Sequence, residues 1–97
     1  MGLKIEYTRH ASLRLRVRGI GGDEVEYVLR NPWRIYYDIS TDSMVAIGPR
    51  LRRQGHWLLV VYTKKDDVYR IITVIDTKSL DKLVSRREES GRWVRVW

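Results

Sequence analysis

Two histidines, His10 and His56, are the side chains of this 97-residue sequence best suited to giving and taking protons near neutrality. Both stand close to arginine. His10 precedes Arg14 by four residues and Arg18 by eight, and His56 follows the basic run Arg50, Arg52 and Arg53. Arg70 lies further on, within an apolar run, and Tyr62 offers a phenol as a further proton donor or as a surface on which a base could stack. Arginine supplies 14 of the 19 basic residues, and the formal net charge is +7. A planar guanidinium matches phosphate better than a point charge does, so the expected partner is a polyanion: nucleic acid, or an acidic protein that mimics it.

Each of these residues also has a plain structural reading. A histidine at a helix start can simply bond locally, and one at a strand end can simply be surface. Arg14 can pair with Glu24 or Asp23, the 50–53 run can be a solvated loop, and the tyrosines can be sheet aromatics. There is one Asn (Asn31), one Gln (Gln54) and no cysteine, a composition that leans thermophilic, where surface ion pairs absorb part of an arginine excess.

Other chemistries lack their signatures. Without cysteine there is neither disulfide nor thiolate ligand, and no His, Asp and Glu share metal-ligand spacing. Gly19, Gly21 and Gly22 do not have the spacing of a phosphate-binding loop. Asp66-Asp67 suits a turn. No metal and no cofactor is expected. The longest apolar run falls well short of the roughly 20 residues that cross a bilayer, and MGLKIEYTRH has no apolar signal region. The expectation is a single domain over 1–97, soluble and cytoplasmic, with no membrane partner.

The elements that must position these residues are organised around 56–76, HWLLVVYTKKDDVYRIITVID. Two runs rich in Val, Ile and Tyr flank the polar connector Lys64-Lys65-Asp66-Asp67, which reads as a central β-hairpin covered on both faces. Residues 4–8 suit an edge strand. The segment 10–20 is ambiguous. Leu13, Leu15 and Val17 alternate with Arg14, Arg16 and Arg18 as in a half-buried strand. On a helix, His10, Arg14 and Arg18 would form a basic stripe beside Leu13, Val17 and Ile20, with Thr8 as N-cap and Gly19 as stop. Asp23 suits the cap of a helix over 24–30, ended by Asn31-Pro32. Strands are expected over 33–39 and 44–48, a turn at 41–43 and a basic loop at 50–55. Ser79 suits the cap of a helix over 80–87 ended by Gly91, and a short strand closes the chain over 93–97. The order β-α-α-β-β-β-β-α-β is an α+β pattern.

The motif His10-Ala11, Arg14 and Arg18-Gly19-Ile20, then Asn31-Pro32, Ile47-Gly48, Leu59-Val60-Val61-Tyr62 and Arg70-Ile71-Ile72-Thr73-Val74, resembles the RelE/BrnT-like toxin superfamily. The closer likeness is to an uncharacterised domain family grouped with it. The resemblance covers about 7–76 and makes 10–20 a helix. It implies two N-terminal helices on a four-stranded antiparallel sheet, and a metal-free endoribonuclease of toxin type or an inactive relative. The expected partners are then RNA or the ribosome, and an acidic antitoxin protein. Metal-free RNA cleavage needs a base for the ribose 2′-OH, an acid for the leaving 5′-oxygen and cations on the phosphate. His10, His56, Arg14 and Tyr62 are the candidates for catalysis, and Arg18, Arg50, Arg52, Arg53 and Arg70 for binding the nucleic acid. A non-catalytic nucleic-acid-binding module would keep the arginines and need neither histidine. A protein-interaction subunit would use the C-terminal aromatics Trp93 and Trp97, which as an exposed pair could join two copies of the chain.

Overall fold

The structure, a computed structural model, describes residues 2–97. The two apolar runs pair as an antiparallel hairpin, β4 (Trp57–Lys65) with β5 (Val68–Thr77), closed by Asp66-Asp67. Around it the chain runs β1 (Lys4–Tyr7), α1 (Arg9–Arg18), α2 (Gly22–Arg30), β2 (Arg34–Asp38), β3 (Ser43–Pro49), then the hairpin, α3 (Leu80–Glu89) and β6 (Trp93–Arg95). The element order is the expected one and the class is α+β. The sheet differs from the expected four antiparallel strands. It has six, in the order β1-β5-β4-β3-β2-β6, and is mixed because β1 lies parallel to β5. Both additions are short edge strands joined to elements far away in sequence, β1 to β5 and β6 to β2.

Helices cover both faces. One core joins Ala11 and Ile20 around α1, and Val25 and Val28 of α2, to Ala46, Leu58, Val60 and Val74 of the sheet. The other joins Leu80 and Val84 of α3 and Trp93 to Tyr36, Val45, Ile47 and Leu59. Strands β3 and β4 are thus apolar on both sides, as their continuous Val/Ile/Leu runs require. Gly48 lets α2 approach closely: a Cβ there would stand 3.1 Å from Val28 Cγ2.

α1 is a helix, with caps at both ends. Thr8 Oγ1 accepts the Ala11 N–H at 3.1 Å. At the other end Gly19 is left-handed (φ 62°), and Ile20 N–H reaches back to the Leu15 carbonyl at 2.8 Å. Its inward side is not the expected one. Ala11 is buried and Leu15 packs against the core, whereas Leu13 and Val17 are exposed. A period-two pattern wound on a helix sends alternate residues to opposite sides, so Leu15 and its two apolar neighbours cannot share a face. α2 begins a little earlier than expected, with Gly21 at the cap. Glu24, not Asp23, satisfies the end of the helix by accepting the Gly21 N–H at 3.1 Å. Ser79 stands at the cap of α3 but its side chain makes no capping bond.

At the C-terminus Trp93 is buried, not exposed. Its indole packs on Tyr36 at 5.4 Å between centroids and donates to Asp38 Oδ2 at 3.0 Å. Of the expected aromatic pair only Trp97 faces solvent. Among the described residues no helix is long and apolar enough to cross a membrane.

Candidate functional site

The register of β4 and β5 shifts between Val61 and Tyr62, whose partners are Thr73 and Ile71, so Ile72 is an extra residue. The bulge lets Ile71 and Val74 both pack under α1 and α2, although an odd spacing would normally split them between faces. It turns Thr73 toward the α3 side. Thr8 ties the start of α1 to this bulge, donating its backbone N–H to the Ile71 carbonyl (3.0 Å) and its hydroxyl to that of Ile72 (3.0 Å).

His10, in the first turn of α1, is thereby set against Thr73, with Nε2 3.1 Å from the Thr73 hydroxyl. Nδ1 is the ring nitrogen left to meet a ligand. Thr73 lines a cavity of about 150 Å³ between the sheet, the end of α3 and the start of β6, together with Thr41, Ser43, Arg87, Arg92 and Trp93. That is the space of roughly five water molecules, room for a phosphate group and too little for a nucleotide. Arg92 is held by Asp38, Nε to Oδ2 at 3.0 Å. Burial pushes the Asp38 carboxyl up, but Arg92, Ser40 and Trp93 outweigh it and hold it well below the usual carboxylate range. Arg87 lies over the Trp93 ring at 5.8 Å, and its buried Nε has no hydrogen-bond partner. The Nε of Arg14, one turn after His10, is also buried without a partner. A buried donor left unpaired is costly unless something binds it.

His56 belongs to a different cluster. Its Nδ1 lies 2.7 Å from Asp76 Oδ1, and its ring is mostly buried. Asp76 also takes Arg50 Nη1 at 2.6 Å, and Arg50 Nε meets Glu24 Oε2 at 3.2 Å. Arg50 Nη2 donates to the carbonyls of Arg18 (3.3 Å) and Gly19 (2.7 Å), the otherwise unpaired end of α1. Burial raises Asp76, and His56 with Arg50 more than reverses it, so the carboxyl lies below its ordinary value. Glu24 is likewise lowered against burial, by the Gly21 and Arg52 amides and by Arg50.

The residues expected to catalyse and those expected to bind nucleic acid are therefore not gathered at one place. Arg50 is 4% exposed and fully engaged, so it is a structural pivot and has no reach to a phosphate. Arg52 pairs with Asp23 and Glu24. Glu24 is committed to Arg50 and Arg52, which leaves no ion pair there for Arg14. Tyr62 is buried against Tyr69, 5.3 Å between centroids, and burial pushes its phenol up. Arg18, Arg53 and Arg70 are exposed. Thr73 and Asp76 are three residues, about 10 Å, apart on an extended strand, and they leave it on opposite faces. The two histidines they hold do not meet around one phosphate.

Sequence reasoning missed Asp76, Glu24, Thr73, Arg87 and Arg92. Asp76 had a signal: two residues after Val74 on a strand, it shares that residue's inward face, and an inward carboxylate demands a partner. Glu24 had one too, three residues past the Gly21 cap. Arg87 and Arg92 had none, since they reach the cavity only through the packing of α3 on the sheet and the pairing of β6 with β2.

Among the described residues no group of three or more His, Asp or Glu stands ready to hold a metal ion. The family model described as "Domain of unknown function (DUF4258)" matches residues 7–84. No curated protein and no solved structure matches the chain.

Proposed function

The chain belongs to that DUF4258 family, whose description assigns no activity, and we propose that it is an RNA-binding protein of RelE-like type, a metal-free endoribonuclease that takes a backbone phosphate at the His10 cavity. One observation carries the reading. His10 bonds Thr73, which together with Arg87 and Arg92 lines a phosphate-sized cavity, and the Arg87 Nε is buried without a hydrogen-bond partner. A phosphate in that cavity would lie against the Arg87 side chain that lines it. Arg87, with Arg92 beside it, would stabilise the charge that develops on phosphorus. His10 Nδ1 would exchange the proton of the ribose 2′-OH or of the leaving oxygen. Arg14 and Arg18, on the same stripe of α1, would follow the strand outward. The ribosome is the natural setting for such an RNA, and an acidic antitoxin protein the natural inhibitor.

The test is incubation of the protein with labelled single-stranded RNA in EDTA, beside His10→Ala. Cleavage should persist in EDTA and fall by about 10²–10⁴ in the variant. Intact RNA with the wild-type protein, both free and in ribosomes, would remove the catalytic reading.

A second reading has its own support. One imidazole, that of His10, reaches the cavity's lining, through Thr73, and neither Tyr62 nor His56 stands beside it to act as the complementary acid. A relative that binds RNA without cutting it would look like this. Contact with about six phosphates would then give a log–log salt slope near −4, and His10→Ala would leave binding intact.

A further inference from the structure

α1 exposes a stripe that the fold itself does not use. Leu13 and Val17 are 52% and 67% exposed. They lie four residues apart and so are neighbours on the helix surface. Arg9, four residues before Leu13, and Arg16, three after it, complete the stripe, and both are exposed. α1 has no acidic residue to balance Arg9, Arg14, Arg16 and Arg18, and among the described residues neither Arg9 nor Arg16 makes an ion pair. A single exposed aliphatic residue carries no message. Two adjacent ones at the centre of an unbalanced cationic stripe make a pattern: apolar contacts one helical turn apart, with cations above and below.

We propose that this face of α1 docks an acidic amphipathic segment of a partner protein, with aliphatic side chains on Leu13 and Val17 and carboxylates on Arg9 and Arg16. Charge complementarity selects this occupant. A second copy of α1 would set cation against cation. RNA would meet the arginines but gain little from Leu and Val, because bases stack on aromatic rings and guanidinium planes. An anionic bilayer would need a broader apolar face than two residues. The docked segment would lie beside the His10, Arg14 and Arg18 stripe and crowd the approach to the cavity. The inference deepens the acidic-partner part of the proposed function and does not depend on cleavage.

The probe is a synthetic helical peptide with Leu at positions i, i+4 and i+7 and Glu elsewhere, titrated into isotope-labelled protein. A control peptide has Ser for Leu. Amide shifts should cluster over Arg9–Val17. The double variant Leu13→Ser/Val17→Ser should weaken the peptide by about tenfold or more. The Leu-free control should bind weakly and be lost in salt. RNA binding by the double variant should be unchanged, so loss of the peptide and loss of RNA are separate results. Arg9→Glu/Arg16→Glu should abolish peptide binding by independent chemistry, and it decides the matter if the serine variant melts. No peptide binding, shifts centred elsewhere, or equal affinity in the variants would overturn the proposal. So would self-association of the wild-type chain lost in the double variant, which would make the occupant a second copy.

Discussion

Arg50 holds two carboxylates and two helix-end carbonyls at once, so its removal strands four acceptors. Glu24 would keep only Arg52 and Asp76 only His56, each having lost its buried guanidinium partner. Breaking one side of a buried pair typically costs about 3–5 kcal/mol, and Arg50→Ala should lose that much in chemical denaturation. Arg50→Lys should recover only part of it, since an ammonium cannot meet Glu24, Asp76 and the α1 carbonyls from one plane. A loss under 1 kcal/mol in the alanine variant would mean that water replaces the guanidinium. A loss of RNA binding without a loss of stability would return Arg50 to the binding surface. The exposed Arg52–Asp23 pair, by contrast, is worth little.

At the level of the elements, α1 shows what a sequence can and cannot declare. Its two ends were legible, because Thr8 and Gly19 act through local bonds that the residue types announce. Its inward side was not. The alternation of Leu13, Leu15 and Val17 with arginine suits a strand, and only docking against β5 makes a helix of it. Leu15 and Ala11 therefore anchor α1 while Leu13 and Val17 do not. Leu15→Ala, which removes a partly buried side chain, should cost about 1–2 kcal/mol. Leu13→Ala should stay within about 0.5 kcal/mol. Equal losses in urea titrations would place the helix in a different rotation. The hairpin was legible for the opposite reason: Val, Ile and Tyr runs on either side of a polar turn leave few alternatives. β1 and β6 could be read as strands, but not their partners. Parallel pairing with β5 and return to β2 are long-range choices that no local pattern encodes. The candidate cavity depends on the second of them, so it too was hidden.

For the molecule as a whole, Glu24, Asp38 and Asp76 tie the two faces of the sheet to the chain around it, and all three are held below their ordinary values. A carboxylate depressed by folding contributes stability that is in full force above its unfolded value, near 4, and is lost as pH falls through the native value. The melting temperature should be nearly flat from pH 7 to about 5 and fall steeply below 4. Asp38→Asn should melt lower at pH 7 and show a shallower fall in acid. Parallel curves for variant and wild type would take Asp38 out of this account.

The parallel pairing of β1 with β5 also sets an order of events during synthesis. α1 leaves the ribosome early, but the strand that carries Ile71, Thr73 and Asp76 is made some sixty residues later. Until then the helix has neither its Ile72 anchor nor the hairpin beneath it, and a ten-residue helix is marginal alone. The nascent chain must carry an unfolded, arginine-rich leader past a surface made of RNA. In arrested chains with a C-terminal extension, protease protection of Arg9–Arg18 should arise only once Thr77 has cleared the exit tunnel. Protection before that point would mean that α1 folds without β5. Folding of this protein is thus gated from behind: its first helix must wait for its fifth strand.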